Sequence, residues 1–194
     1  QLLKSQRLDY DQVNIFGTPR RLVIHVARLA AYQSDLEEVV KGPPSERAYD
    51  SSGIPTRAAE GFARSKGIDV SDLEVREMDG GEYVVAVIKR KGRPVTDILT
   101  EVLPELISNI QFNQSMRWNW TNVSFSRPIR WLLALYGKTV IPFEIAGLRA
   151  GSSTRGLRFK EPLEIGVDSV EDYFSTLASQ GIIIDPDVRK AVVQ

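Results

Sequence analysis

The chain has 194 residues, 42% hydrophobic and 26% charged, with zero net charge; this is ordinary globular usage with enough length for a real core, and it excludes a disordered chain. No apolar run approaches the roughly 20 residues that span a bilayer, the longest candidate being Trp131 to Tyr136. With no cysteine, disulfides, thiolate catalysis and cysteine metal sites are excluded, which fits a cytoplasmic protein.

The chain opens on Gln1 with no signal-peptide pattern, and Leu2 and Leu3 look like the tail of a helix already under way, so it reads as a piece of a longer protein. Arg21 to Leu29 alternates, with Leu22, Ile24 and Val26 on one side and Arg21, Val23, His25 and Ala27 on the other; this predicts a strand with one well-buried face, begun just after Pro19. Leu36 to Lys41 predicts a second strand, which Gly42-Pro43-Pro44 stops. Asp50 to Pro55 is a turn. Thr56 to Lys66 is a helix, capped by Thr56, ended by Gly67 and striped by Ala58, Ala59, Phe62 and Ala63. Leu73 to Asp79 and Glu82 to Lys91 form a hairpin around Gly80-Gly81, and Tyr83 to Ile88, apolar on both sides, predicts a central strand.

Pro94 to Ile110 follows the helical period through Val95, Ile98, Leu99, Val102, Leu103, Leu106 and Ile107, with Pro104 expected to kink or divide it. Val123 to Phe125, Ile129 to Tyr136 and Val140 to Ala146 are strand-like, with a turn at Gly137-Lys138. Leu163 to Val167 is a short strand. Ser169 to Ser179 is a helix closed by Gly181, and a last helix runs from Asp185 to Val193 with Pro186 in its first turn. Without a strict βαβ rhythm, the fold class is α+β with mainly antiparallel sheet and packed helices. It reads as one region over 1–194, or as two lobes of about 1–112 and 113–194.

Charge is unevenly spread. From Ser115 to Lys160 there are eight basic residues and one acid, Glu144, a surplus of seven that the rest of the chain balances. Such asymmetry is a nucleic-acid footprint, or else a basic face neutralised within the same domain.

Catalytic motifs are missing. There is neither a G-x-x-x-x-G-K-[ST] loop nor a G-x-G-x-x-G after a strand. His25 is the single histidine, mid-strand and without a motif, and reads as structural. One histidine and no cysteine leave only carboxylates as metal ligands, which suit Mg²⁺ or Ca²⁺ better than zinc, and the acids are scattered rather than arranged as a calcium loop.

Three aromatic-basic clusters remain: Ser115-Met116-Arg117-Trp118-Asn119-Trp120, Ser126-Arg127-Pro128-Ile129-Arg130-Trp131, and Ser152 to Phe159 with Arg155 and Arg158, followed by Lys160. Guanidinium and hydroxyl donors bind phosphate oxygens, and aromatic faces stack on unpaired bases. Arg117, Trp120, Arg127, Arg130, Arg155, Arg158 and Lys160 are the RNA-contact candidates. For Trp118 and Trp131 the favoured reading is core filling. For Trp120, Arg155 and Arg158, contact and internal bracing both stay open.

The same clusters carry a family resemblance. Phe16-Gly17-Thr18-Pro19-Arg20-Arg21-Leu22 resembles the "YGTPRRL" signature of glycyl-tRNA synthetase β subunits, and Lys41-Gly42-Pro43-Pro44 matches their "KGPP". Pro55 to Ser65 is similar to "PTKAAEGFARS", Ser115 to Trp118 to "SMRW", and Arg127 to Trp131 to "RPIRW". Ile145-Ala146-Gly147 and Thr154-Arg155-Gly156 complete an ordered series over residues 16 to 159. One departure is Leu157, where the family pattern "TRGHRF" has histidine. The family's upstream "GTEE" segment is also absent from this chain, which corresponds to an N-terminal fragment.

The resemblance implies an α₂β₂ enzyme that joins glycine to tRNA(Gly). ATP and Mg²⁺ bind in the α subunit and no cofactor binds in this fragment, which is expected to be inactive alone. The β subunit supplies tRNA-binding parts, and its N-terminal region resembles the editing-type domain of the phenylalanyl-tRNA synthetase β subunit. The expected role is thus a non-catalytic part of the β subunit that supports tRNA binding and assembly with the α subunit, without a membrane. The alternatives are a structural spacer between subunits and a hydrolytic editing domain. Editing needs a water-activating group, and no histidine or cysteine lies near the basic clusters.

Overall fold

The structure, a computed structural model, describes residues 1–159, 161 and 163–193, Val193 by its backbone alone. It divides into two compact units, Gln1–Tyr32 with Arg93–Gln194, and Gln33–Gly92. This is a different partition from lobes of about 1–112 and 113–194.

The first unit begins with a short helix α1, Leu2–Ser5, and an antiparallel ribbon of β1, Gln12–Thr18, and β2, Arg21–Ala27. In its turn the Thr18 hydroxyl accepts from the Arg21 amide at 3.0 Å. The alternation expected for β2 is there, but the covered face is the other one. Arg21 is buried while Leu22 and Ile24 are exposed, as are Val13 and Ile15 of β1. Aromatic packing decides this: Phe174 stands edge-on to Phe16 at 5.7 Å and to His25 at 5.3 Å, covering the Phe16–Val23–His25 side.

The second unit is a three-stranded antiparallel sheet. It comprises β3, Leu36–Pro44, β4, Leu73–Met78, and β5, Gly81–Arg90, with β5 in the centre as its two-sided apolar character predicts. β3 does not stop at Gly42. Its pairing slips between Lys41 and Pro44, and the prolines are tolerated because β3 is an edge strand with one side free of partners. Helix α2, Ser45–Ala48, and helix α3, Arg57–Lys66, cover the sheet. Thr56 caps α3 through the Ala58 amide (3.3 Å), and Gly67 ends it in the left-handed region, φ 71°. The β4–β5 turn is Asp79-Gly80, with φ of 53° and 77°, the two-residue primed turn that suits the twist of antiparallel strands. Ala48, Ala59, Ala63, Leu73, Val84 and Ala86 form the core. Two glycines are fixed by space. A Cβ on Gly42 would stand 2.5 Å from the Phe62 ring, and one on Gly92 would stand 1.7 Å from the Gln33 carbonyl oxygen, so the two ends of this unit touch.

The first unit resumes with α4, Val95–Ser108, which Pro104 does not divide. Its buried face, Val95, Ile98, Leu99 and Val102, packs with Leu8 and Ile141. The unit is joined across its two chain segments by the Val95 amide donating to the Ala31 carbonyl at 2.8 Å. From here the expected strands break into short pieces: β6, Met116–Arg117; β7, Ser124–Phe125; β8, Leu132–Leu133; β9, Leu135–Tyr136; β10, Thr139–Val140; β11, Glu144–Ile145. β12, Leu148–Gly151, pairs antiparallel with β11 and parallel with β8, whereas β13, Ser153–Arg155, pairs antiparallel with β14, Glu164–Gly166. Helix α5, Val170–Ser179, is capped by Ser169 as expected, and α6, Pro186–Val193, follows. The fold is α+β with mostly antiparallel pairing. Among the described residues no helix is long and apolar enough to cross a membrane.

Candidate nucleic-acid interface

Every described site residue predicted from sequence lies in the first unit. Of the six that are described, Arg117, Trp120, Arg127, Arg130 and Arg158 are exposed and Arg155 is half-buried; Lys160 lies outside the described residues. Arg117 and Trp120 belong to one group and Arg130 and Arg155 to another, while Arg127 and Arg158 belong to neither.

The first group is the β6–β7 hairpin. Asn119 organises its tip, accepting from the Thr121 amide at 3.1 Å and donating to the Ala146 carbonyl at 2.8 Å. Arg117 pairs across the ribbon with Ser124. Trp118 does not fill the core. It is 43% exposed, and its indole N–H donates to the Phe125 carbonyl at 2.9 Å. Trp120 is 83% exposed, with its ring edge over Gly147, where a Cβ would come within 3.5 Å. At the surface the flat apolar faces of both rings are open to a stacking partner, with the Trp118 N–H already satisfied by the Phe125 carbonyl. A small hollow of about 120 Å³ lies beside them, lined by Trp118, Asn119, Val123, Phe125, Pro128, Ile129 and Ala146.

The second group is a cleft of about 190 Å³ between β8, β12, β13 and β14. The parallel pairing of Ala150 with Leu132 and of Gly151 with Leu133 brings segments 130–133 and 148–155 side by side. Arg130, Arg149 and Arg155 thereby line one opening, together with Trp131, Ser153 and Glu164. Glu164 accepts from the Ser153 hydroxyl at 2.7 Å and faces Arg155 in the ladder; among the described residues it forms no ion pair with that arginine. Arg149 reaches Glu144 at 3.4 Å from a largely exposed position, a pairing worth little in water.

Trp131 also departs from the core reading. It is half-buried, and two guanidinium groups lie against its ring, Arg21 at 5.6 Å and Arg155 at 5.8 Å from the centroid, within cation–π range. Arg21 is 9% exposed and donates to the Arg155 main-chain carbonyl, while its Nε has no hydrogen-bond partner among the described residues. Burial holds its pKa below the ordinary guanidinium value, partly offset by Tyr173; the group stays charged at neutral pH. Burial likewise raises the Tyr173 hydroxyl, with the Arg21 charge pulling the other way.

Arg155 is thus both a brace and a cleft wall. Arg158 sits in an exposed turn beside Phe159 and Leu157. Sequence reasoning missed two residues. Arg149 was visible only as one charge among the eight basic residues of the 115–160 window. Arg21 was hidden in an alternating strand, on the side that also holds Val23 and His25. Among the described residues no group of three or more His, Asp or Glu side chains converges in a way that could hold a metal.

Comparison with known proteins agrees with the resemblance of the sequence blocks. A family model described as glycyl-tRNA synthetase beta subunit matches residues 1–194. The chain is 41% identical over 191 residues to a protein of Desulforamulus reducens named glycine–tRNA ligase beta subunit, covering 98% of this chain and 28% of that protein. Proteins of the same name from Moorella thermoacetica and Desulforudis audaxviator are 42% and 44% identical, over 100% and 99% of this chain and 28% of each relative. The chain therefore spans a little over a quarter of the length of these relatives.

Proposed function

The chain belongs to the glycyl-tRNA synthetase β-subunit family, and from that premise we propose that it is a non-catalytic part of glycine–tRNA ligase that holds tRNA(Gly) and supports assembly with the α subunit. In this reading the complete α₂β₂ enzyme works in the cytoplasm, and ATP and Mg²⁺ act in the α subunit. One observation supports the tRNA role above others: five of the six described candidate side chains are exposed, in a segment with eight bases to one acid. A polyanion gains by releasing counterions at each such contact. The assembly role is supported by the exposed apolar face of the β1–β2 ribbon, Val13, Ile15, Leu22 and Ile24, since contiguous exposed apolar surface marks a site of association. The antiparallel α+β arrangement is compatible with an editing-type domain of the phenylalanyl-tRNA synthetase β kind; superposition on such a domain tests that likeness.

The experiment is a salt titration of tRNA(Gly) binding to the full α₂β₂ enzyme, with and without R117Q, R127Q and R158Q. Each lost contact should flatten the slope of log K against log[salt] by about 0.7–0.9 and raise KM for tRNA. Unchanged slope and KM in the triple variant would leave the spacer role. The chain alone should show no ATP–pyrophosphate exchange with glycine.

A further inference from the structure

We propose that the cleft lined by Arg130, Arg149 and Arg155 takes one backbone phosphate of the bound RNA, and that buried Arg21 is the positioning residue that fixes Arg155 for that contact. This rests on the tRNA-binding reading and adds a place and a device to it.

The charge count points to an anion. Three guanidinium groups line the opening. Against them stand Glu164, hydrogen-bonded to Ser153, and Glu144, at 3.4 Å from Arg149. The surplus is one positive charge, and a phosphodiester carries one negative charge. A cleft of about 190 Å³ is wide enough for a phosphate group, and forked guanidinium donors suit its oxygens.

Arg21 supplies the second, independent observation. A charged group this buried is costly unless paired, yet no ion pair to Arg21 exists among the described residues, and its Nε donor is unsatisfied. Its bond goes to the main chain of Arg155, and both arginines lean on one indole, Trp131. Arg21 therefore fixes the end of β13 and the ring against which the Arg155 side chain rests. Its uncompensated charge also adds to the positive potential of the cleft, where the local dielectric is lower than in water. A carboxylate on a protein partner would satisfy the same donors. RNA is favoured because the same unit presents further exposed cations, Arg117, Arg127 and Arg158, and the open Trp120 face, a set suited to a repeating polyanion with bases.

The test uses the full α₂β₂ enzyme carrying R149Q, R155Q, R21M and R21M/R155Q, with tRNA(Gly) as the ligand. R149Q and R155Q should each raise KM for tRNA about five- to tenfold, with kcat changed far less. Each should flatten the salt slope by about 0.7–0.9. R21M should raise KM as R155Q does, and the double variant should be no worse than R155Q, because Arg21 acts through Arg155. Additive losses in the double variant would overturn the positioning role. If R21M fails to fold, R149Q decides the phosphate site, since Arg149 is exposed and its removal leaves the fold intact. Normal slope and KM in R149Q and R155Q, with losses in R117Q, R127Q and R158Q, would overturn the cleft and leave tRNA binding standing. Normal behaviour in all of them would overturn both. Loss of α–β association in R149Q or R155Q with unchanged tRNA binding would assign the cleft to a protein carboxylate and overturn the proposal.

Discussion

Residues 33–92 and residues 115–166 are built on opposite principles. The first holds a regular ladder, β3–β5–β4, closed by a capped helix and a two-residue turn. The second holds strands of two to four residues joined by bends and prolines, and the cationic side chains of the candidate interface, Arg21 apart, lie there. Regular pairing satisfies the backbone locally and presents side chains in fixed alternation. Irregular pairing lets distant segments meet, and that convergence makes a cleft. Order in the first region is cheap to specify, while the second depends on a few specific contacts.

Four experiments break or sharpen that contrast. The largest effect is expected from Gly42→Ala, because its Cβ would stand 2.5 Å from the Phe62 ring, so this half-buried ring, packed against the core of the unit, must shift to make room. Destabilisation of about 2–3 kcal/mol is expected, seen as lost hydrogen-exchange protection in β3 and β5 with the tRNA salt slope retained. Loss of the slope as well would mean that the regular region shapes the interface. Next, Trp131→Leu removes the ring shared by Arg21 and Arg155 and should cost about 1–2 kcal/mol, read by urea denaturation of the first unit.

A smaller effect separates two arginines. Arg155→Ala should lower the stability of the first unit by about 0.5–1 kcal/mol through the lost ring contact, whereas Arg158→Ala, in an exposed turn, should stay within about 0.5 kcal/mol. Equal melting temperatures for the two variants would argue against bracing by Arg155. The smallest effect is pH-dependent. The Lys41 ammonium hydrogen-bonds Asp79 and holds its carboxyl below the ordinary value. The stability this contributes is present above the unfolded carboxyl pKa of about 3.9 and is lost as pH falls through the lowered native value. Asp79→Asn should remove that acid limb from the urea midpoint of the 33–92 unit as pH falls below about 3.9, and an unchanged acid limb would show the pair to be inert.

The same contrast explains what the sequence disclosed. Thr56, Gly67 and the hairpin turn, expected at Gly80-Gly81 and found one residue earlier at Asp79-Gly80, are local signals, and they place α3, β4 and β5 almost to the residue. The continuation of β3 through Pro43 and Pro44 was not legible, because tolerance of proline there depends on β3 lying at the sheet edge. In 129–146 an apolar run suggested long strands. The turn at Gly137-Lys138 is where it was expected, between β9 and β10, but Pro142, which has no amide hydrogen, breaks the ladder between β10 and β11, and positive φ at Ala146 and Gly147 turns β11 back into β12. The arginines of the interface were legible as charge. Their convergence was not, since it depends on parallel pairing between β8 and β12 and on a contact from Arg21 to a residue 134 positions away. The burial of the Arg21 side of β2 was equally invisible, because Leu22 and Ile24 are the more apolar pair and only α5 decides which face is covered.

The touching ends of the 33–92 unit have a consequence for the chain as a polymer. The Ala31–Val95 hydrogen bond closes the first unit just outside the point where Gln33 meets Gly92. To the remaining sequence, those sixty residues are one long excursion that returns to its start. The entropy of closing such an excursion grows only with the logarithm of its length, about 0.6 kcal/mol per doubling. The junction is thus nearly indifferent to what it carries. A shorter hairpin, a larger module or a bare linker can be spliced between residues 32 and 93 at little cost in closure entropy.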